Sequence, residues 1–232
     1  MKAVILAGGL GTRLKPFTEI IPKPLLPIGE KSVLQIQIEH LKESGFNEIF
    51  LATNYKSDYI SNFFGDGSRF GIKLKISKEE KPLGTVGPLS IIKNELYKPF
   101  LVINGDVLTL FDYRKLIEFS ANKDTLLTVC TKEIITPFEF GDIVFEGDFV
   151  IKIEEKPKFR NHILAGIYFF KPEIFNYIPY NEYYGIDTLI KNMLDKNLKI
   201  LKYEIKEYWL DIGRVDDYRE AQEIYRKHFH KG

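Results

Sequence analysis

The chain opens with MKAVILAGGLGTRLKPFTEIIPKPLLPIG, residues 1–29, and the order of its parts decides the fold. The run Ala3 to Ala7 is short, apolar and followed by glycines, as a strand buried on both faces would be. Gly8, Gly9 and Gly11 free the backbone for close approach to a ligand, and Arg13 and Lys23 suit an anionic one. Taken alone, the glycines fit a tight turn beside a surface arginine. Two familiar phosphate loops are excluded. A dinucleotide fingerprint needs a third glycine where Leu14 stands. A Walker A loop needs Gly-Lys-Ser/Thr in direct sequence, and "GEKS" (Gly29 to Ser32) interrupts it. Pro22 and Pro24 fix φ on either side of Lys23 and stiffen its segment. A lysine held this way loses less freedom on binding a phosphate.

Outward from this loop the pattern alternates. Residues 32–45 read as a helix, with Ser32 and Gln35 at capping-box spacing and Gly45 as the stop. Residues 48–53 read as a buried strand, 57–64 as a short helix and 72–77 as a half-exposed strand. Residues 86–96 read as a helix, and 99–105 as a buried strand that delivers Asp106. Strand and helix in strict turn imply a largely parallel sheet with helices on both faces. In such sheets ligands sit beyond the C-terminal strand ends, where both the glycine loop and Asp106 fall. Beyond residue 110 strands gain weight. The segments 125–131, 142–155 (two strands about Gly147 and Asp148), 163–170 and 198–205 read as strands. Residues 113–122, 186–197 and 215–229 read as helices. The expected fold is α/β and Rossmann-like: a central, mostly parallel mixed sheet flanked by helices, with a smaller β region. We expect one domain over 1–232, its second part (111–232) packing against the first (1–110) to wall in a ligand.

Composition narrows the classes. With 232 residues, 44% of them hydrophobic, a full core is accessible. The net charge of +1 gives no electrostatic case for nucleic acid or an acidic membrane surface. The lone Cys130 can form no internal disulfide and reads as a small hydrophobe in a strand. No apolar run reaches the length of a membrane span, and the N-terminal run lacks a cleavage pattern. A cytoplasmic location is expected.

The string "LAGGLGTRLKPFTEIIPKPLLPIG" resembles the opening signature of sugar-1-phosphate nucleotidylyltransferases, Gly-Gly-x-Gly-Thr-Arg-Leu-x-Pro-x-Thr followed by Pro-Lys-Pro. "EEKPLGTVGPL", "VINGDVL", "IEEKP", "AGIYFF" and "WLDIGRVDDY" follow in the family's order, so the resemblance spans nearly the whole chain. It is greatest to members that transfer guanylyl groups to mannose or heptose 1-phosphate. It implies that a sugar-phosphate oxygen attacks the α-phosphorus of a nucleoside triphosphate in line, releasing pyrophosphate.

The resemblance also assigns roles, to a nucleotide-binding half (1–110) and a sugar-binding half (111–232). Arg13 would hold the departing β,γ-phosphates and Lys23 the α-phosphate. Leu6, Ala7, Gly8, Gly9, Gly11, Thr12, Glu79, Gly84 and Thr85 would contact the nucleotide. Gly141, Glu155, Lys156 and Gly166 would meet the sugar phosphate. Asp106 and Asp211, each readable alone as a turn cap, would bind Mg²⁺. Glu79 aligns where uridylyl and thymidylyl relatives tend to carry glutamine, with Glu80 as the neighbouring choice. A carboxylate only accepts hydrogen bonds, and guanine offers it two adjacent donors, so GTP is the expected triphosphate. A solvated charge pair is the plainer reading of the two glutamates.

Two departures bear on the sugar. Leu164 stands where many relatives have asparagine, and Asp142 where they often have an apolar residue. Three alternatives stand beside the guanylyl reading. One is a uridylyl- or thymidylyltransferase of a hexose 1-phosphate. Another is a phosphocholine cytidylyltransferase-like enzyme, for which "NYIPYNEYYG" could supply an aromatic cage. The third is a non-catalytic nucleotide-sugar-sensing subunit, whose mark would be loss of Arg13, Lys23 or an aspartate. The chain is expected to lack an appended β-helix or regulatory module. The sequence leaves the sugar and homo-oligomer formation open.

Overall fold

The computed structural model describes residues 1–54 and 56–229. The strands are β1 (Lys2–Leu6), β2 (Pro27–Ile28), β3 (Lys31–Ser32), β4 (Glu48–Thr53), β5 (Lys73–Lys78), β6 (Phe100–Asn104), β7 (Val107–Thr109), β8 (Leu127–Pro137), β9 (Gly141–Glu146), β10 (Phe149–Glu155), β11 (Lys158–Phe170), β12 (Leu201–Glu204) and β13 (Trp209–Asp211). The helices are α1 (Phe17–Ile20), α2 (Val33–Glu43), α3 (Ser57–Phe64), α4 (Gly87–Ile91), α5 (Tyr113–Ala121), α6 (Ile186–Asp195) and α7 (Val215–Ile224). No helix among the described residues is long and apolar enough to cross a membrane.

Seven strands form the central sheet in the order β12-β8-β11-β6-β1-β4-β5. β1 pairs in parallel with β4 and β6, and β4 with β5. β11 enters antiparallel between β6 and β8, which makes the sheet mixed. Both halves of the chain therefore contribute to one sheet. Alternate residues of β1 feed opposite cores: Ala3 and Ile5 pack with Leu34, Ile38 and Leu41 on one face, and Val4 with Val86, Leu89 and Leu189 on the other. Such double burial explains the unbroken apolar run. The half-exposed patterns of 72–77 and 198–205 also find their cause, since β5 and β12 are the two sheet edges.

Local signals held at α2. Ser32 Oγ accepts the Gln35 N–H at 3.1 Å, the cap bond expected from that spacing. The helix expected over 86–96 is shorter. It runs Gly87–Ile91, with a separate turn at Lys93–Glu95. Gly87 and Pro88 open it, and Ile92 leaves helical geometry.

The strands around 125–131 and 163–170 are longer than their apolar cores suggest. β8 and β11 continue as a paired ribbon from Leu164↔Thr131 to Lys158↔Pro137. β9 and β10 close that arm as a two-stranded hairpin.

A third cluster gathers Leu14, Leu26, Ile28, Val33, Ile36, Leu108, Ile212, Ala221 and Tyr225. It binds the opening loop, the β7 turn and the C-terminal helix into one block. This block positions the site.

Candidate active site

The glycine loop leaves β1 and doubles back beneath Thr18. Gly11 has φ +62°, and a Cβ there would stand 2.8 Å from Thr18 Cγ2 and 3.0 Å from Lys23 Cβ. Thr18 Oγ1 donates to the Gly11 carbonyl at 2.8 Å. Only glycine fits both the backbone and the space, and the result brings Arg13 and Lys23 to one side of the strand ends. The resulting cleft, about 150 Å³, is lined by Leu6, Ala7, Gly9, Gly11, Thr12, Arg13, Lys23, Gly105, Asp106 and Gly213. Gly213 lies under Arg13: a Cβ there would be 3.2 Å from Nη2.

Asp106 and Asp211 are 105 residues apart in sequence, yet a short ladder joins them. β13 runs antiparallel to β7 with Asp211 opposite Val107, and the Ile212 N–H donates to the Asp106 carbonyl at 3.0 Å. Gln37, buried on α2, donates from Nε2 to the carbonyls of Asn104 (2.9 Å) and Val107 (2.7 Å), fixing the turn that carries Asp106. Lys23 pairs with Asp106 Oδ2 through a charge-assisted hydrogen bond. Asp211 Oδ1 is buried with no hydrogen-bond partner among the described residues. Burial, then the adjacent Asp106 carboxylate, pushes the Asp211 carboxyl up to about 6, with Lys23 and Arg13 pulling the other way. Two close carboxylates that one lysine cannot neutralise, one with an orphaned oxygen, are a hard-oxygen donor set. They fit Mg²⁺, which takes one or two carboxylates and completes its shell with water and substrate phosphate.

A second, larger cavity of about 380 Å³ adjoins the cleft along Leu6, Gly9 and Asp106. Its walls are Gly8, Leu10, Ala52, Asn54, Glu79, Pro82, Leu83, Gly84, Thr85, Pro88, Asn104 and Tyr183. Glu79 is buried, with 7% of its surface exposed, and is therefore not half of a solvated charge pair. Its Oε2 accepts the Leu83 N–H at 2.9 Å, so one oxygen already shapes the loop. Oε1 would stand 3.0 Å from a Cβ at Gly8. Desolvation raises the Glu79 pKa, opposed by the Leu83 hydrogen bond.

Arg13, Lys23, Asp106, Leu6, Ala7, Gly8, Gly9, Gly11, Thr12, Glu79, Gly84 and Thr85 thus line the two adjoining cavities. Asp211 stands beside them through its pairing. The expected sugar residues are not gathered there. Glu155 and Lys156 are exposed at the end of β10, and Gly141 faces Glu155 across the hairpin. Gly166 has φ +67°, and a Cβ there would meet Asn104 Nδ2 at 2.7 Å, so its neighbour is a protein side chain. Sequence reasoning missed Gln37, Asn54, Asn104 and Gly213, and reached Tyr183 only as part of the aromatic stretch weighed for a phosphocholine pocket. Gln37 alone left a trace, as a polar residue on the apolar side of α2.

The nucleotidyl transferase family model matches residues 2–228. A rice protein named "Probable mannose-1-phosphate guanylyltransferase 1" is 36% identical over 97% of this chain and 64% of its own length. A Synechocystis UTP--glucose-1-phosphate uridylyltransferase is 32% identical over 95% of this chain and 62% of its own. The chain thus spans less than two thirds of these relatives. The crystal structure of HddC from Yersinia pseudotuberculosis complexed with GMP-PN is 31% identical, with a TM-score of 0.74, and the match covers 97% of this chain and 99% of that one. The chain belongs to the nucleotidyl transferase family.

Proposed function

We propose that the protein is a sugar-1-phosphate nucleotidylyltransferase that prefers GTP and releases pyrophosphate. The observation that carries this reading is the junction of the two cavities: Arg13, Lys23 and the Asp106–Asp211 pair border one side, Glu79 the other. The spacing suits a triphosphate in the smaller cleft and a base in the larger. Chemistry of this kind needs positioning and charge more than a protein nucleophile. Holding the attacking phosphate against the α-phosphorus contributes roughly 7–11 kcal/mol. Lys23 would leave Asp106 for the α-phosphate, and Arg13, backed by Gly213, would hold the β,γ-phosphates as they depart. Asp106 and Asp211 would hold Mg²⁺, which when bound supplies positive charge against the triphosphate oxygens. Lys156 and Glu155 would bring the sugar phosphate in from the β arm, the working part of a sugar-binding half over 111–232.

Preference for GTP rests on Glu79. Its acceptor-only carboxylate suits guanine N1–H and the 2-amino group, and two relatives with guanylyl names or ligands support it. The Synechocystis relative supports the uridylyl alternative. Incubating the protein with Mg²⁺, each triphosphate and a panel of sugar 1-phosphates, with pyrophosphate as readout, decides between them. GTP is expected to outcompete UTP and dTTP, and Glu79→Gln to lose about 1–3 kcal/mol of that preference. Preference for UTP or dTTP in the unsubstituted protein would refute the guanylyl assignment.

A further inference from the structure

The stretch NYIPYNEYYG, residues 176–185, carries four tyrosines whose rings end in different surroundings. Tyr177 and Tyr184 pack, partly buried, against the core that holds Val86 and Leu189, and the Tyr184 hydroxyl accepts a hydrogen bond from Asn192 Nδ2. Lys93 Nζ stands 5.5 Å from the centre of the Tyr180 ring. Tyr183 is 72% exposed and makes no hydrogen bond, ring pair or cation contact among the described residues. A single exposed tyrosine is ordinary on a protein surface. This one, however, lines the larger cavity of the site, and a Cβ at Gly84 would lie 3.4 Å from its Cε2. Every other described residue of that lining falls within 1–106, so Tyr183 is what the later part of the chain adds to it.

The ring is free, but its backbone is fixed. The Tyr184 N–H donates to the Leu83 carbonyl at 2.9 Å, and the Val86 and Gly87 N–H groups donate to the Tyr184 carbonyl at 3.0 and 3.1 Å. The Asn181 N–H donates to Ser90 Oγ at 3.0 Å. Gly87 permits this close approach, since a Cβ there would stand 2.4 Å from the Glu182 carbonyl oxygen. A tyrosine on a fixed backbone has only two side-chain torsions to give up on binding, and an aromatic face stacks on any base.

We propose that Tyr183 covers the base of the bound nucleoside triphosphate, its ring stacked on the purine or pyrimidine. The proposal rests on the reading that the base occupies the larger cavity and the triphosphate the smaller. A ring over the base also shields from water the hydrogen bonds that Glu79 would make to it, and so strengthens them.

The test is calorimetric titration of the parent, Tyr183→Ala and Tyr183→Phe with GTP, UTP and inorganic tripolyphosphate, each with Mg²⁺ and without sugar phosphate. Tyr183→Ala should weaken GTP binding roughly tenfold, weaken UTP binding in the same direction, and bind tripolyphosphate as the parent does. Tyr183→Phe keeps the ring and should match the parent with all three. Since both bases present a π-face, the test holds whichever triphosphate the parent prefers. Unchanged GTP and UTP affinity in Tyr183→Ala would overturn the proposal. An equal loss for tripolyphosphate would overturn it too, because the effect would then lie with the phosphates or the fold. A parent that binds tripolyphosphate as tightly as GTP would instead remove the base from the larger cavity, and the role of Tyr183 with it.

Discussion

Asp211 shows how position sets the role of a residue. It sits one residue before Ile212 of the third core cluster, with Oδ1 buried and unpaired and Asp106 beside it. A structural aspartate would have its oxygens satisfied, because an unsatisfied buried acceptor costs about 1–3 kcal/mol. The cost is reasonable where a cation completes the set. Asp211→Asn removes a charge yet keeps the shape, so the chain should fold normally. Pyrophosphate release should fall by about 10²-fold or more, the scale of losing charge stabilisation at a reacting centre. EDTA should abolish activity of the parent, and Mg²⁺ should restore it. Full turnover in EDTA would remove the metal from this account. Asp106 and Asp211 were legible in the sequence only through family resemblance. Their proximity depends on the β7–β13 ladder, two three-residue strands that no periodicity could reveal. The burial of Glu79 was invisible for a related reason: a loop glutamate next to Glu80 and Lys81 has the local pattern of a solvated run.

Among the elements, α7 links the two sides of the site. It follows Asp211 directly, and its outer turns reach back to the segment behind Lys23. Tyr218 Oη and Gln222 Nε2 both donate to the Pro27 carbonyl, at 2.5 and 2.6 Å, and Gln222 Oε1 accepts the Gly29 N–H at 2.9 Å. Tyr225 packs over Gly29, whose φ of +58° leaves no room for a side chain. Gln222→Leu should therefore loosen the lysine loop more than it unfolds the protein. We expect kcat to fall by roughly tenfold with a smaller change in the KM for GTP. The stability loss should stay near the 0.5–1.5 kcal/mol of an ordinary hydrogen bond. Equal losses in kcat and stability would reduce the contact to packing.

α2 carries a pH-dependent term. His40 packs against Tyr113 at 4.7 Å between ring centroids, and burial lowers its pKa. The unfolded chain takes up a proton there below about pH 6.5 that the folded chain resists. Stability should thus fall as pH drops through that value and be unaffected by this group above it. Urea midpoints at pH 7.5 and 5 should converge in His40→Phe relative to the parent. The helices were the most legible elements, since Ser32 and the apolar spacing of 33–41 marked α2. The tertiary hooks of α7 were not, because a glutamine and a tyrosine on an exposed helix carry no local sign of a partner about 190 residues away.

Across the whole molecule the residues proposed for the two substrates lie in unlike surroundings. The residues assigned to the nucleotide line cavities set in the central sheet, braced by Gln37, Glu79 and the third core cluster. Of those assigned to the sugar phosphate, Gly141, Glu155 and Lys156 lie on the exposed arm that β8 and β11 extend beyond the sheet, while Gly166 is buried beside Asn104 where β11 joins the sheet. A preformed site binds without first ordering its own walls, whereas an exposed arm must give up freedom when it closes on a ligand. Binding should therefore be ordered, with triphosphate first. A ligand at 100 times its Kd stabilises by about 2.7 kcal/mol, which for a chain of this size raises Tm by roughly 5–10 °C. GTP with Mg²⁺ should produce such a shift alone. The matching sugar 1-phosphate should give a clear shift only when a non-hydrolysable GTP analogue is already bound. Amide exchange over residues 132–163 should likewise slow only with both present. Substitution of Lys156 by alanine should erase the second shift and spare the first, while Arg13→Ala should weaken the first. A sugar 1-phosphate that stabilises the free protein as strongly as the complex would show that the arm is already set, and the order of addition would then carry no meaning.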